Sequence, residues 1–155
     1  MARYYLAYGS NLNVTQMRFR CPTAKVVGIG SIKGYRLLFK GSRTGSYLTI
    51  EKAKGHAVPV AVWRVDEECE RSLDRYEGFP DFYYKKEMEI DFVSIKSKAP
   101  RHEKAFVYIM HEERELGIPS RHYVDVCLQG YRAFGFNALL IEEAILKSME
   151  VKGNG

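Results

Sequence analysis

No apolar run in the 155 residues approaches the length needed to cross a bilayer, so no membrane span is expected. The opening string MARYYLAYGSN lacks a charged lead, a long apolar stretch and a small-residue cleavage site, which argues against a secretory signal. Cysteine is sparse and odd in number: Cys21, Cys69 and Cys127 are far apart and form no CxxC pair. Neither a disulfide framework nor a zinc site suits that spacing, and the expectation is buried thiols in a reducing, cytoplasmic setting. Blocks of Lys and Arg are missing too. The net charge of +5 is spread over Arg18, Arg20, Lys33, Arg36, Lys85, Lys86 and the stretch from Lys96 to Lys104. A basic arm for nucleic acid would be concentrated, so no nucleic-acid partner is expected.

Standard catalytic signatures are also absent. His56, His102, His111 and His122 show no HExxH spacing, and a resident metal is not expected. Ser10 is not within GxSxG, so a nucleophile elbow is unsupported. Gly28-Ile29-Gly30-Ser31-Ile32-Lys33-Gly34 comes near a dinucleotide fingerprint. However, Lys33 stands where the third glycine belongs and a strand follows instead of a helix. A turn between strands is the expectation.

What is present reads as one globular domain over 1–155, with an ordered core of about 4–150. Apolar residues make up 46% and charged residues 28%, enough for a core and too apolar for disorder. Tyr4–Tyr8 reads as a first strand, and Asn13 with Gln16 as the capping box of a short helix ended by Pro22. Lys25–Ile29, Tyr35–Lys40 and Tyr47–Glu51 read as strands separated by glycine turns, followed by Val58–Val65. Asp66 caps a helix with Cys69, Leu73 and Tyr76 on one stripe, ending at Gly78. Tyr83–Val93 and Ala105–His111 are strands joined by a basic, mobile loop. Ser120 caps a helix carrying Val124, Cys127, Leu128 and Tyr131 and closed by Gly135. Asn137 caps a last one carrying Ile141, Ala144, Ile145 and Met149. The tail past Lys152 is expected to fray. Strands come first and helices later, without regular alternation. This predicts α+β: a curved sheet or small barrel with helices outside.

Three features exceed structural need. Tyr8-Gly9-Ser10-Asn11 ends the first strand in small residues, where backbone N–H groups can meet a ligand closely. Tyr76-Glu77-Gly78-Phe79-Pro80 sets a carboxylate at a helix carboxyl end among aromatics, where dipole and burial would both raise its pKa. On that local pattern alone, a solvated helix-end glutamate is the commoner case. Eleven tyrosines, among them Tyr83, Tyr84, Tyr108 and Tyr123, could orient a polar ligand, although most tyrosines are amphipathic core.

Taken together these pieces resemble the γ-glutamylcyclotransferase family. Tyr5-Leu6-Ala7-Tyr8-Gly9-Ser10-Asn11-Leu12 is similar to its substrate-binding loop, and Leu73-Asp74-Arg75-Tyr76-Glu77-Gly78 to the segment with its catalytic glutamate. Tyr84 matches a pocket tyrosine seven residues on. Pro119-Ser120-Arg121-His122-Tyr123 resembles a segment whose tyrosine also lines the pocket, and Val27-Gly28 through Phe39 resembles a structural block. Asn11 departs from the YGSL string of the glutathione-specific branch. The resemblance implies a small mixed-sheet β-barrel with flanking helices, no metal or cofactor, a homodimer in many members, and a small-molecule γ-glutamyl substrate. It further implies 5-oxoproline release with Glu77 as general acid and base. Binding of such a compound without turnover, or removal of a γ-glutamyl group from a biosynthetic amine, are the alternatives.

Overall fold

A long β-hairpin dominates the chain. In the computed structural model, which describes residues 2–42 and 45–153, its strands are β2 (Lys25–Ser42) and β3 (Gly45–Val65). They pair antiparallel along almost their whole length, with register shifts at Val26/Gly28 and Lys33/Tyr35. The separate short strands expected here are therefore two continuous ones. The glycines read as turns lie within β2: a Cβ on Gly28 would fall 2.2 Å from the Phe92 ring and 2.7 Å from the Val93 carbonyl oxygen. Gly28 lets another strand cross closely, which periodicity alone cannot distinguish from a turn. Arg43 and Thr44, between the two strands, lie outside the described residues, as does the tail beyond residue 153.

The remaining strands close the sheet. β1 (Arg3–Ala7) pairs antiparallel with β3 and parallel with β5 (Pro100–Met110) at Tyr5–Phe106. β5 pairs with β4 (Tyr83–Ser94), β4 with β2, and β2 with β3, making a closed five-stranded mixed barrel. Its fold class is α+β, a small barrel with four flanking helices. The two-residue β6 (Glu115–Leu116), which the sequence did not suggest, pairs with β2. The expected long loop between β4 and β5 is only a short turn, because both strands extend into it. Leu6, Phe39, Phe106, Leu48 and Ile50 are buried in the core.

Three helices begin where their caps predict, and α4 begins two residues past Asn137. Asn13 accepts from the Gln16 N–H at α1 (Val14–Arg20), Asp66 from Cys69 at α2 (Glu67–Glu77), and Ser120 from Tyr123 at α3 (Arg121–Phe134). α2 stops at Gly78, whose φ of 65° is the left-handed conformation that ends helices. In α4 (Leu139–Gly153), Ile141, Ala144 and Ser148 face the barrel, with Ser148 Oγ donating to the Phe39 carbonyl at 3.4 Å. Met149, expected on that face, is 51% exposed because the buried repeat selects Ser148.

The cysteines require a correction. Cys21 and Cys69 are joined by a disulfide with Cα atoms 5.0 Å apart, and only Cys127 is free and buried. A spacing rule cannot see this pair. The β2–β3 hairpin separates them by 48 residues in sequence and then returns the start of α2 to the end of α1. Among the described residues no helix is long and apolar enough to cross a membrane.

Candidate active site

A cavity of about 330 Å³ opens where β1 ends and α2 stops. Leaving β1, the chain turns at Gly9 into a single 3-10 turn over Ser10–Leu12, with Ser10 and Asn11 buried. Tyr8, Gly9, Ser10 and Asn11 line one wall; Tyr76 and Glu77 line another. Aromatic residues from β3, β4, β5 and α3 supply the rest, including Tyr47, Phe82, Tyr83, Tyr108 and Tyr123.

Most tyrosine hydroxyls here are committed to the scaffold. Tyr8 donates to the Tyr108 carbonyl at 2.7 Å, Tyr83 to the Leu48 carbonyl at 2.8 Å and Tyr108 to Asp74 Oδ1 at 2.6 Å. Tyr131, behind the loop, donates to the Tyr8 carbonyl at 3.1 Å. Tyr123 Oη accepts from the Leu48 N–H at 3.1 Å, which leaves its own proton for another partner. Burial holds the hydroxyls of Tyr5, Tyr8, Tyr83, Tyr108 and Tyr123 well above the usual phenol range, so all stay protonated at neutral pH.

Glu77 is the exception among the polar groups. It is the last residue of α2 and is only partly accessible, with its carboxylate on the cavity wall. Burial raises its pKa to about 7, and the positive charge of Arg20 acts in the opposite direction. A carboxylate poised there exchanges protons at neutral pH, as a general acid–base group must. Among the described residues no group of three or more His, Cys, Asp or Glu side chains is arranged to hold a metal.

The structure brings together Tyr5, Tyr8, Gly9, Ser10, Asn11, Glu77 and Tyr123. Three other expected residues lie elsewhere. Leu6 and Ala7, the last two residues of β1, are packed in the core. Tyr84 is on the opposite face of β4 from Tyr83, because side chains alternate along a strand. Its hydroxyl donates to Glu112 Oε2 at 2.5 Å in a separate depression lined by Tyr35, Glu51, Lys52 and Lys86. The inward neighbour Tyr83 holds the place expected of Tyr84.

Sequence reasoning also missed Tyr47, Leu48 and Phe82, and it gave Arg20, behind the cavity wall, no role. The alternation of β4 could have preferred Tyr83 over Tyr84. Nothing local marks Tyr47 or Leu48, which arrive through the distant β2–β3 pairing.

Comparison with known proteins bears on this arrangement. The family model described as gamma-glutamyl cyclotransferase, AIG2-like, matches residues 5–125. The chain belongs to that family. Over 87 residues it is 32% identical to the gamma-glutamylcyclotransferase of Bos taurus, a match covering 52% of this chain and 46% of that protein. The chain thus matches a little under half the length of that relative. A solved structure named gamma-glutamyl cyclotransferase superposes with a TM-score of 0.76 at 24% identity, covering 93% of this chain and 86% of the other. An uncharacterized protein from Homo sapiens gives 0.74 at 25% identity, covering 92% and 86%. These structural likenesses extend the gamma-glutamyl cyclotransferase-like fold over nearly the whole chain.

Proposed function

We propose that the protein is an enzyme that releases 5-oxoproline from γ-glutamyl amino acids or γ-glutamyl amines by intramolecular aminolysis. The observation carrying this reading is Glu77, whose pKa of about 7 lies at a cavity shared with the backbone of the Gly9–Asn11 turn. A volume of about 330 Å³ suits a dipeptide-sized compound.

The chemistry needs little apparatus because the nucleophile belongs to the substrate. Its α-ammonium, with a reference pKa of ~8, first gives a proton to the Glu77 carboxylate. The freed amine attacks the γ-carbonyl carbon, closing a five-membered ring and leaving negative charge on the oxygen. Backbone N–H groups at Gly9 and Ser10 stabilise that charge; the first residues of a helical turn have no acceptor within it. Collapse breaks the bond to the leaving amine, which takes the proton back from Glu77, and the surplus proton of the ring nitrogen then passes through the same carboxylate to the departed amine, leaving a neutral lactam and an ammonium product. Effective molarities of ~10⁵ M or more for well-oriented intramolecular reactions make holding the bent substrate a large part of the task. Tyr123 orients the glutamyl part, and no metal or cofactor enters the scheme.

The test is 5-oxoproline release across γ-glutamyl amino acids, γ-glutamyl-lysine and larger γ-glutamyl amines, on wild type beside Glu77→Gln. Release from at least one class is expected, with a loss of about a hundredfold or more in the variant. Unchanged turnover in Glu77→Gln removes it as the base. Binding without release identifies a small-molecule sensor on the same fold, and release confined to larger amines identifies a deprotection step.

A further inference from the structure

Arg20, the last residue of α1, is tied into two parts of the site and to its own helix. Its Nη1 donates to Asn11 Oδ1, its Nη2 donates to Gln16 Oε1 at 2.8 Å, and its Cζ lies 3.5 Å from the centre of the Tyr76 ring. These partners lead inward. Asn11 Nδ2 donates to Tyr5 Oη at 2.9 Å, and the Tyr76 and Ser10 hydroxyls share a hydrogen bond at 3.1 Å. Tyr76 immediately precedes Glu77. The Arg20 carbonyl accepts from Ser72 Oγ at 2.7 Å, and the next residue, Cys21, is disulfide-bonded to Cys69, so α1 is anchored to α2 twice more.

Its charge is as distinctive as its position. Among the described residues no carboxylate forms an ion pair with Arg20. The ionisable groups acting with Glu77 are phenols: Tyr5 and Tyr8 from β1, Tyr83 from β4, Tyr108 from β5, Tyr123 from α3 and Tyr76 beside it. Asp74, one turn back on α2, is already paired with Lys85 and accepts from Tyr108. Stacked on the residue before Glu77, the Arg20 charge opposes the effect of burial on that carboxyl group, and among the described residues no hydrogen bond joins the two.

We propose that Arg20 is a positioning residue: its planar cation clamps the Ser10–Asn11 turn to the end of α2 and sets a fixed positive charge beside the helix end that carries Glu77. The inference rests on the reading of Glu77 as the proton acceptor. Arginine suits both tasks, since its flat fork can stack and donate twice while never losing its charge.

The test separates charge from clamp. Arg20→Gln keeps a donor and removes the charge; Arg20→Met, which retains a stem over Tyr76, is the second uncharged variant should Gln not fold. Arg20→Lys keeps charge without the planar fork. The Glu77 carboxyl carbon is titrated by NMR in wild type and all three, alongside the pH profile of kcat/KM. In the uncharged variants the Glu77 midpoint should rise by about half a unit or more, and the acid limb with it. In Arg20→Lys the midpoint should stay and kcat should fall severalfold. An unmoved midpoint in a folded uncharged variant overturns the proposal, leaving Arg20 a structural residue. If wild type releases no 5-oxoproline from any substrate, the enzymatic reading fails, while the NMR titration still decides what Arg20 does to Glu77.

Discussion

A carboxyl group whose pKa is raised by burial weakens the fold whenever it is ionised. For Glu77 the native value of about 7 lies above its ordinary 4.5. Its contribution to stability is therefore complete below about pH 4.5 and disappears as pH rises through 7. Part of the carboxylate meets solvent in the cavity, so the difference is set at on the order of 2 kcal/mol rather than the full shift. Glu77→Gln, which cannot ionise, should gain that much over wild type between pH 4.5 and pH 8, measured by urea unfolding at both. Activity should run the other way, with kcat/KM rising with pH along a limb centred near 7 because the base must be deprotonated. Tyr84 offers a contrast at the same scale. Since its hydroxyl meets Glu112 outside the cavity, Tyr84→Phe should change kcat/KM by no more than about twofold. A loss of tenfold in that variant would return Tyr84 to the site.

Among the elements, α3 decides how the Ser10–Leu12 turn is held. Gly130 faces the turn so closely that an added Cβ would lie 2.6 Å from the Leu12 carbonyl carbon and 2.8 Å from the Asn13 nitrogen. Helix propensity alone predicts that Gly130→Ala gains about 1 kcal/mol. The contacts predict a net loss of about 2 kcal/mol by thermal unfolding, with a higher KM as the turn is displaced. The helices were legible in the sequence because their signals are local. Asn13, Asp66 and Ser120 accept the cap hydrogen bonds, and Gly78 and Gly135 terminate α2 and α3. The hairpin was less legible: bulges and close crossings at Gly28 and Gly30 resemble turns to any rule based on neighbours in sequence. The candidate site was legible where it is contiguous, in the turn after β1 and the end of α2. It was obscure where a distant strand completes it, as with Tyr47 and Leu48.

At the scale of the whole molecule, the Cys21–Cys69 link spans 48 residues and encloses the entire β2–β3 hairpin. Closing a loop of that length restricts the unfolded chain by about 4 kcal/mol in the chain-entropy account. Reduction, or Cys21→Ser with Cys69→Ser, should lower the melting temperature by several degrees or more, and denatured unreduced protein should titrate one thiol rather than three. Three titratable thiols would refute the link. The order of the barrel strands has a further consequence. β1 lies between β3 and β5, so it cannot obtain its second neighbour until residue 106 has been made. The Ser10–Leu12 turn that follows it depends on contacts from α3, still later in the chain. Nascent chains ending before about residue 110 should remain open to protease at β1, and capacity to hold a ligand should arise abruptly once α3 is complete.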